Sequence, residues 1–402
     1  MFSSEIELPP TAGLPLAFKD LFSARAGSFS QKIAEFLEVP EVGIECSGTA
    51  SLIVILETLR RRSNRTTVVI PAYTCPLVVF AVARCGLRLQ ICDVRPRSFE
   101  LDPEALAKLC NDQTLAIIPT HLGGRVADLR PVIKLARQCG AYVVEDAAQG
   151  LGARSTGKSI GLMGDAGFFS LAAGKGLTLF EGGLWIAADK GLRAELKNTS
   201  GQIVPRNLGW EALRCLELLG YALAYHPRGL PYVYGHALQR ALRRNDPVAA
   251  AGDCFSPDIP FHQVSKWRQA VGYRALARLP SFQGELACRA AERIPRLAGI
   301  PGVEVLSDPP ESTGTWPVFI VLLPSEEKRD RVLEELWGAG IGVARMFAFA
   351  LPDYAYLQPW LGRCHTPNAR SFAACSLTIT NSPWLDEAHF GQILGVLSRH
   401  SH

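Results

Sequence analysis

Two acids, a glutamine and a lysine set among small residues carry the chemistry legible in this chain. Glu145 and Asp146 end a short apolar run, Tyr142-Val143-Val144, and Gln149 follows after two alanines. A second apolar run, Gly167-Phe168-Phe169-Ser170-Leu171, leads to Lys175, flanked by Ala172, Ala173, Gly174 and Gly176. An apolar strand ending in a carboxylate sets that group at the carboxyl edge of a buried sheet, where open α/β sheets bind ligands. Small neighbours let backbone or a flat ligand approach the lysine closely. A strand-end acid with a loop lysine is what pyridoxal phosphate (PLP) requires. The lysine forms a Schiff base, and the acid keeps the pyridine nitrogen protonated so that the ring acts as an electron sink.

Upstream, Ser47-Gly48-Thr49-Ala50 precedes Leu52, Ile55, Leu56 and Leu59 at helical spacing, and Arg60, Arg61 and Arg62 suit the negative end of that helix. A helix that begins Ser-Gly-Thr offers N–H groups and hydroxyls to an anion such as a cofactor phosphate. Taken alone, the same residues are an ordinary helix cap.

The run EDAAQ at 145–149, GDAGFFS at 164–170, a lysine five residues after Ser170 and EGG at 181–183 resembles the DegT/DnrJ/StrS family of fold type I, PLP-dependent sugar aminotransferases. Ser47–Ala50, His121 in PTHLGG and Asp128 fit the same family in the same order, and the resemblance covers roughly residues 47–201. It implies Lys175 as Schiff-base residue and proton shuttle, and Asp146 as partner of the pyridinium nitrogen. It also implies Gln149 beside the ring hydroxyl, Ala147 or Ala148 beneath the ring, and Thr49, Ser170 and the Ala50 N–H on the phosphate. His121 would lie near the cofactor and substrate, although a histidine after a strand is also an ordinary structural residue. No metal is implied. The donor would be L-glutamate or glutamine, the acceptor a ketone, foremost a nucleotide-linked keto sugar, and the assembly a homodimer with sites completed at the interface.

Four departures from the family pattern involve five positions. Cys75 stands where an aromatic residue usually stacks on the cofactor ring. Gly176 replaces an asparagine after the lysine, and Phe180 replaces a small residue before Glu181-Gly182-Gly183. Phe261 and Gln263 occupy positions where asparagine and arginine reach the partner's site, with His262 or Lys266 as possible substitutes. Two other readings therefore stay open: a catalytically silent or regulatory PLP-binding protein, and an enzyme acting on a non-nucleotide keto substrate. Lys175 argues against the family's dehydratase branch, which carries histidine there.

With 402 residues, 48% of them hydrophobic and 20% charged, the chain can bury a large core. A net charge of +4 gives no nucleic-acid signature. Eleven cysteines without metal-type spacing indicate a reduced, cytoplasmic protein. Acids in Met1–Glu7 do not suit a signal peptide, and Pro71 and Pro76 interrupt the longest uncharged run, 66–83.

Alternating apolar strands and helices from residue 67 to 145 predict a mostly parallel sheet between helices, a three-layer α/β/α large domain. We expect that domain, preceded by an irregular segment over 1–30, to occupy 1–255, and a connecting helix with a smaller α+β domain to occupy 256–402. Residues 207–244 read as a helical hairpin inserted into the family pattern. Its first helix is apolar on every side from Leu218 to Tyr225, so something must cover it: the large domain, the partner subunit, or a lipid. The first two covers are expected; membrane contact is the alternative, on the basic face of Arg240, Arg243 and Arg244.

Overall fold

The computed structural model describes residues 6–22, 27–362 and 364–401. The reading of the first five residues as unsuited to a signal peptide lies outside them. The first strands are β1 (Gly43–Glu45), β2 (Thr67–Pro71), β3 (Arg88–Cys92), β4 (Thr114–Ile117) and β5 (Tyr142–Asp146), followed by a short hairpin of β6 (Arg154–Ser155) and β7 (Lys158–Ser159). Next come β8 (Ala166–Ser170) and β9 (Gly183–Ala187). Seven of them form one sheet in the order β1-β9-β8-β5-β4-β2-β3, parallel except where β9 runs against β1 and β8.

The central strands β2, β4 and β9 are buried at every residue, because helices cover both faces of the sheet. One is Gly48–Arg62, whose Leu52, Ile55, Leu56 and Leu59 have essentially no exposure. Gly140, at φ +68° behind the Arg130–Cys139 helix, supplies the left-handed cap expected of a glycine there.

A second sheet contains β10 (Glu304–Val305), β12 (Val318–Leu322), β13 (Val343–Ala344) and β14 (Ser376–Thr380), in the order β10-β12-β14-β13. Between β10 and β12, β11 (Ser312–Thr313) pairs instead with β6 of the first hairpin. The helices Glu326–Leu336 and Glu387–His400 pack on this sheet around Phe319, Val332, Phe390 and Ile393. The long helix Leu279–Ala298 leads from one region to the other.

Two expectations change. Residues 6–30 are not wholly irregular: Phe18–Phe22 is a short helix, and Ser28 caps a helix beginning at Phe29. The segment before them is a strap lying on its own chain. Glu7 N–H donates to Pro227 O, Ala12 N–H to Pro317 O and Leu14 N–H to Gly176 O. In the hairpin, the Leu208–Ala224 helix is followed by a π turn, Pro231–Gly235, running into His236–Arg243. Leu218 is buried in the core and Tyr225 between the strap and Trp384, but Leu216 and Leu223 on the opposite side stay 67% and 72% exposed. Self-covering is therefore one-sided. Among the described residues, no helix is long and apolar enough to cross a membrane.

Candidate active site

The carboxyl ends of β5 and β8, the start of the Gly48–Arg62 helix and the segment 344–347 at the end of β13 surround a cavity of about 420 Å³. Lys175, Asp146, Cys75, Thr49, Gln149, Ser170 and His121 all line it. Residues scattered over more than a hundred positions thus converge because the crossovers bring every strand end to one edge.

Asp146 accepts a hydrogen bond from Ala148 N at 3.1 Å. Burial raises its pKa from 3.8 to about 6, against the pull of that N–H, the Lys175 ammonium and the Thr74 hydroxyl. Burial likewise lowers the Lys175 pKa, although Cys75 and Asp146 act in the other direction. Its ammonium makes no hydrogen bond or ion pair among the described residues. Cys75 is a neutral thiol, pushed up to about 12 by burial.

His121 is more constrained than its sequence position suggests. Ala127 N–H donates to Nδ1 at 3.0 Å, which leaves the proton on Nε2, and Nε2 donates to Glu145 at 3.0 Å. Both ring nitrogens are therefore used, and only the ring itself faces the cavity. Glu145 also accepts from the N–H groups of Gly161, Met163 and Gly164 at 2.6–2.7 Å, so this acid organises the loop behind the site. Gln149 accepts from Gly123 N at 2.6 Å and turns its amide towards Met346 Sδ.

At the helix start, Ser47 Oγ takes the Ala50 N–H at 3.0 Å, and Ala50 does not line the cavity. The free first-turn N–H groups facing it belong instead to Gly48 and Thr49. Asp128 also stands apart, pairing with Arg130 at 2.8 Å outside the cavity. His262 is turned inward onto Glu211 at 3.2 Å and is wholly buried, so it cannot reach a partner's site, whereas Lys266 is exposed. Phe180 sits at φ +67°, in the left-handed region that explains why a small residue suits the position. A side chain there costs roughly 1–2 kcal/mol.

Sequence reasoning missed several lining residues: Pro10 and Thr11 of the strap, Thr74, Thr120, Tyr234 of the hairpin, Phe255, and Met346 with Phe347. Thr74 and Thr120 each follow the end of a strand by a few residues, the one signal that pointed to them.

The site fits PLP on its own terms. The cavity holds an acid that burial leaves short of a cationic partner, an amine whose charge burial disfavours, and a helix start whose Gly48 and Thr49 lie beside the Ser170 hydroxyl. A protonated pyridine nitrogen, an aldehyde and a phosphate answer these three features in turn. Fold and site together define a fold type I, PLP-dependent transferase architecture.

The comparison with known proteins narrows this class. The model of the DegT/DnrJ/EryC1/StrS aminotransferase family matches residues 23–211, the stretch that holds Thr49, His121, Asp146, Ser170 and Lys175. The chain is 36% identical over 135 residues to GDP-perosamine synthase of Caulobacter vibrioides, covering 34% of this chain and 36% of that protein. It is 28% identical over 323 residues to the dTDP-3-amino-3,4,6-trideoxy-alpha-D-glucose transaminase of Streptomyces venezuelae, covering 79% of this chain and 72% of that one. Matches to relatives such as the Caulobacter enzyme and MosB of Rhizobium meliloti span about a third of their lengths, 36% and 34%. Among solved structures, Spr1654 of Streptococcus pneumoniae in its PLP form superposes with a TM-score of 0.75 at 18% identity, covering 98% of each chain. DesV of S. venezuelae gives 0.70 at 23%, covering 96% of this chain and 90% of that one.

Proposed function

We propose that this protein is a PLP-dependent aminotransferase that moves an amino group from L-glutamate or L-glutamine to a keto sugar, foremost a nucleotide-linked one. The observation that carries the reading is the convergence of Lys175 and Asp146 in one cavity, at the strand ends of a fold shared with such enzymes. Bound PLP supplies an aldehyde for amine exchange and a protonated ring that delocalises the electron pair left on a deprotonated carbon.

The chain's residues do the rest. Asp146 holds the proton on the pyridine nitrogen, and the raised pKa of the isolated acid falls once that cation is paired with it. Lys175 would hold the aldehyde through Nζ, and once the donor's amine has displaced it the freed Nζ would take the proton from the donor's α-carbon, helped by burial that favours the neutral amine. Gly48 and Thr49 N–H groups, with the hydroxyls of Thr49 and Ser170, hold the phosphate. Gln149, the ring of His121 and Cys75, which all line the cavity, would hold the cofactor ring. We assign the chain to the cytoplasm as a homodimer, with the large domain over 1–255 and the small domain over 256–402.

The test is half a reaction. Purified protein reconstituted with PLP should be yellow, lose that colour on addition of L-glutamate or L-glutamine, and release the matching keto acid. Colour that persists with both donors would overturn the reading and favour a silent, cofactor-binding protein.

A further inference from the structure

The helix Leu208–Ala224 meets the loop that carries Lys175 along its length, and at its middle Arg214 Nε pairs with Glu181 at 2.6 Å. At its amino end, Glu211 accepts from Arg268 Nε at 2.7 Å and Nη2 at 2.6 Å, from Ser265 N at 2.8 Å, and lies 3.2 Å from His262 Nδ1. Arg268 is wholly buried and gives its remaining Nη1 to the carbonyl oxygens of Leu179, at 3.1 Å, and Glu181. Those two carbonyls bracket Phe180, the residue at φ +67°. The Phe180 ring is met by Tyr221 of the same helix, centroid to centroid at 6.4 Å.

At the carboxyl end, Tyr225 Oη accepts from Gly13 N at 3.0 Å and donates to Thr11 O at 3.2 Å. This pins the strap over the loop. Leu14 N–H donates to Gly176 O at 3.2 Å, and a Cβ added to Gly13 would lie 2.9 Å from Lys175 O. The lysine loop is therefore held on its return limb through Arg268 and on its outer side through the strap.

From these contacts we infer that the Leu208–Ala224 helix braces the lysine loop, with Arg268 and Tyr225 as the positioning residues that transmit the brace to Lys175. The inference rests on the proposed role of Lys175. Between β8 and β9 the chain runs through Gly174, Gly176 and Gly182, whose backbones lose more freedom on ordering than other residues do. A reacting amine must nevertheless be held in one geometry, since small displacements of a reacting group lower rates steeply. Cross-bonds within the loop (Leu179 N–H to Leu171 O, Ala173 N–H to Phe180 O) set its shape but do not tie it to anything else. The two anchors do: Arg268, on the Lys266–Ala275 helix, is held by Glu211 of the inserted helix, and the strap is held by Tyr225 at that helix's carboxyl end.

Hydrogen–deuterium exchange on the full chain, with and without PLP, tests this alongside kinetics. Tyr225→Phe keeps the ring and removes two hydrogen bonds, so exchange in residues 10–14 and 171–183 should rise about tenfold or more, with the small domain unchanged. In the loaded enzyme kcat should fall more than KM, and the pH dependence of the visible absorbance of the lysine-bound cofactor should move. Glu211→Gln should raise exchange around 179–181 and leave the strap protected, and Glu211→Asp should restore protection there. Exchange that stays at wild-type levels in 171–183 for both Tyr225→Phe and Glu211→Gln overturns the brace. So does exchange that rises evenly along the whole chain, which would mark general destabilisation. The exchange of the cofactor-free chain decides the brace even if no transamination is found, so failure of the proposed function is read separately.

Discussion

His121 and Glu145 are bonded to each other at 3.0 Å with neither side chain exposed, and that bond fixes what the histidine can do. With Nδ1 accepting from Ala127, the imidazole presents a ring face and no free N–H to the cavity. His121→Ala should leave the Ala127 N–H and one lone pair of Glu145 unpaired in the interior. The expected loss is about 1–3 kcal/mol of stability, read as a lower Tm. His121→Phe should lose similar stability yet keep more PLP affinity than the alanine variant, because a ring remains. Equal PLP affinity in the two variants would show that the ring face contributes nothing.

Lys175→Ala should abolish both the visible absorbance of the loaded protein and all amino transfer, since no other lysine lines the cavity. Spectra and keto-acid release check this directly. A variant that keeps colour and rate would refute the assignment.

Asp146 makes two separable predictions. Asp146→Asn should still bind PLP but slow the donor half-reaction by about 10²–10⁴-fold, because a neutral pyridine is the poorer electron sink. The second is a pH effect on the cofactor-free chain. Burial raises the folded-state pKa to about 6 from 3.8, so the folded chain holds this proton more tightly than the unfolded one. The stabilisation is complete below the unfolded value and is lost as pH climbs through the folded one. Its upper size is about 3 kcal/mol. Melting temperatures of the PLP-free protein between pH 3.8 and 6 should therefore fall more steeply for wild type than for Asp146→Asn. Parallel slopes would remove the argument.

Much of this arrangement is legible in the sequence, for a physical reason. Strands that end in chemistry-bearing residues must deliver them to one sheet edge, so Asp146 and Lys175 can be read from apolar runs and small residues, whereas Ser170 needed the family resemblance. What stayed hidden depends on tertiary choices between equivalent local patterns. Ser47, Gly48, Thr49 and Ala50 all read as a phosphate seat, but which N–H groups remain free is settled only once Ser47 caps Ala50. Phe261-His262-Gln263 looked outward by alignment of motif, yet His262 turns inward because Glu211 of the inserted helix is there to receive it. Likewise the strap over 6–17 carries no helical spacing and forms no strand; it is held by backbone hydrogen bonds and by Leu8, Ala12, Leu14 and Leu16, which are buried against distant parts of the chain.

Cys75 offers a test of how the site manages without the usual stacking ring. It lines the cavity and also packs against the hydrophobic core, so its side chain borders both protein and the proposed cofactor space. Cys75→Phe should preserve or tighten PLP binding, by about 0.5–1.5 kcal/mol if the ring stacks. Equilibrium dialysis against PLP reads this out. Failure to fold or to bind would place the thiol in protein packing instead.

The exposed side of the inserted helix bears on assembly. Leu213, Leu216 and Leu223 are 42%, 67% and 72% exposed and recur at helical spacing on the side opposite the buried Glu211, Leu218 and Tyr225. Burying one leucine contributes about 1.5–3 kcal/mol, so this stripe is a sizeable part of what a stable interface needs. On the homodimer we propose, the partner subunit covers it. Leu216→Gln with Leu223→Gln should then leave each chain folded, because neither side chain packs in its own core, while weakening self-association by several kcal/mol at most. Sedimentation velocity over a range of concentrations should show the variant dissociating where wild type stays dimeric, with the melting curve of the dissociated chain still cooperative. The alternative cover makes a different forecast. If the basic residues Arg240, Arg243 and Arg244 hold this surface on anionic lipid, the variant keeps its mass and instead loses binding to phosphatidylglycerol vesicles that wild type shows. An unchanged mass together with lost vesicle binding would replace the partner subunit with the membrane as the cover of this helix.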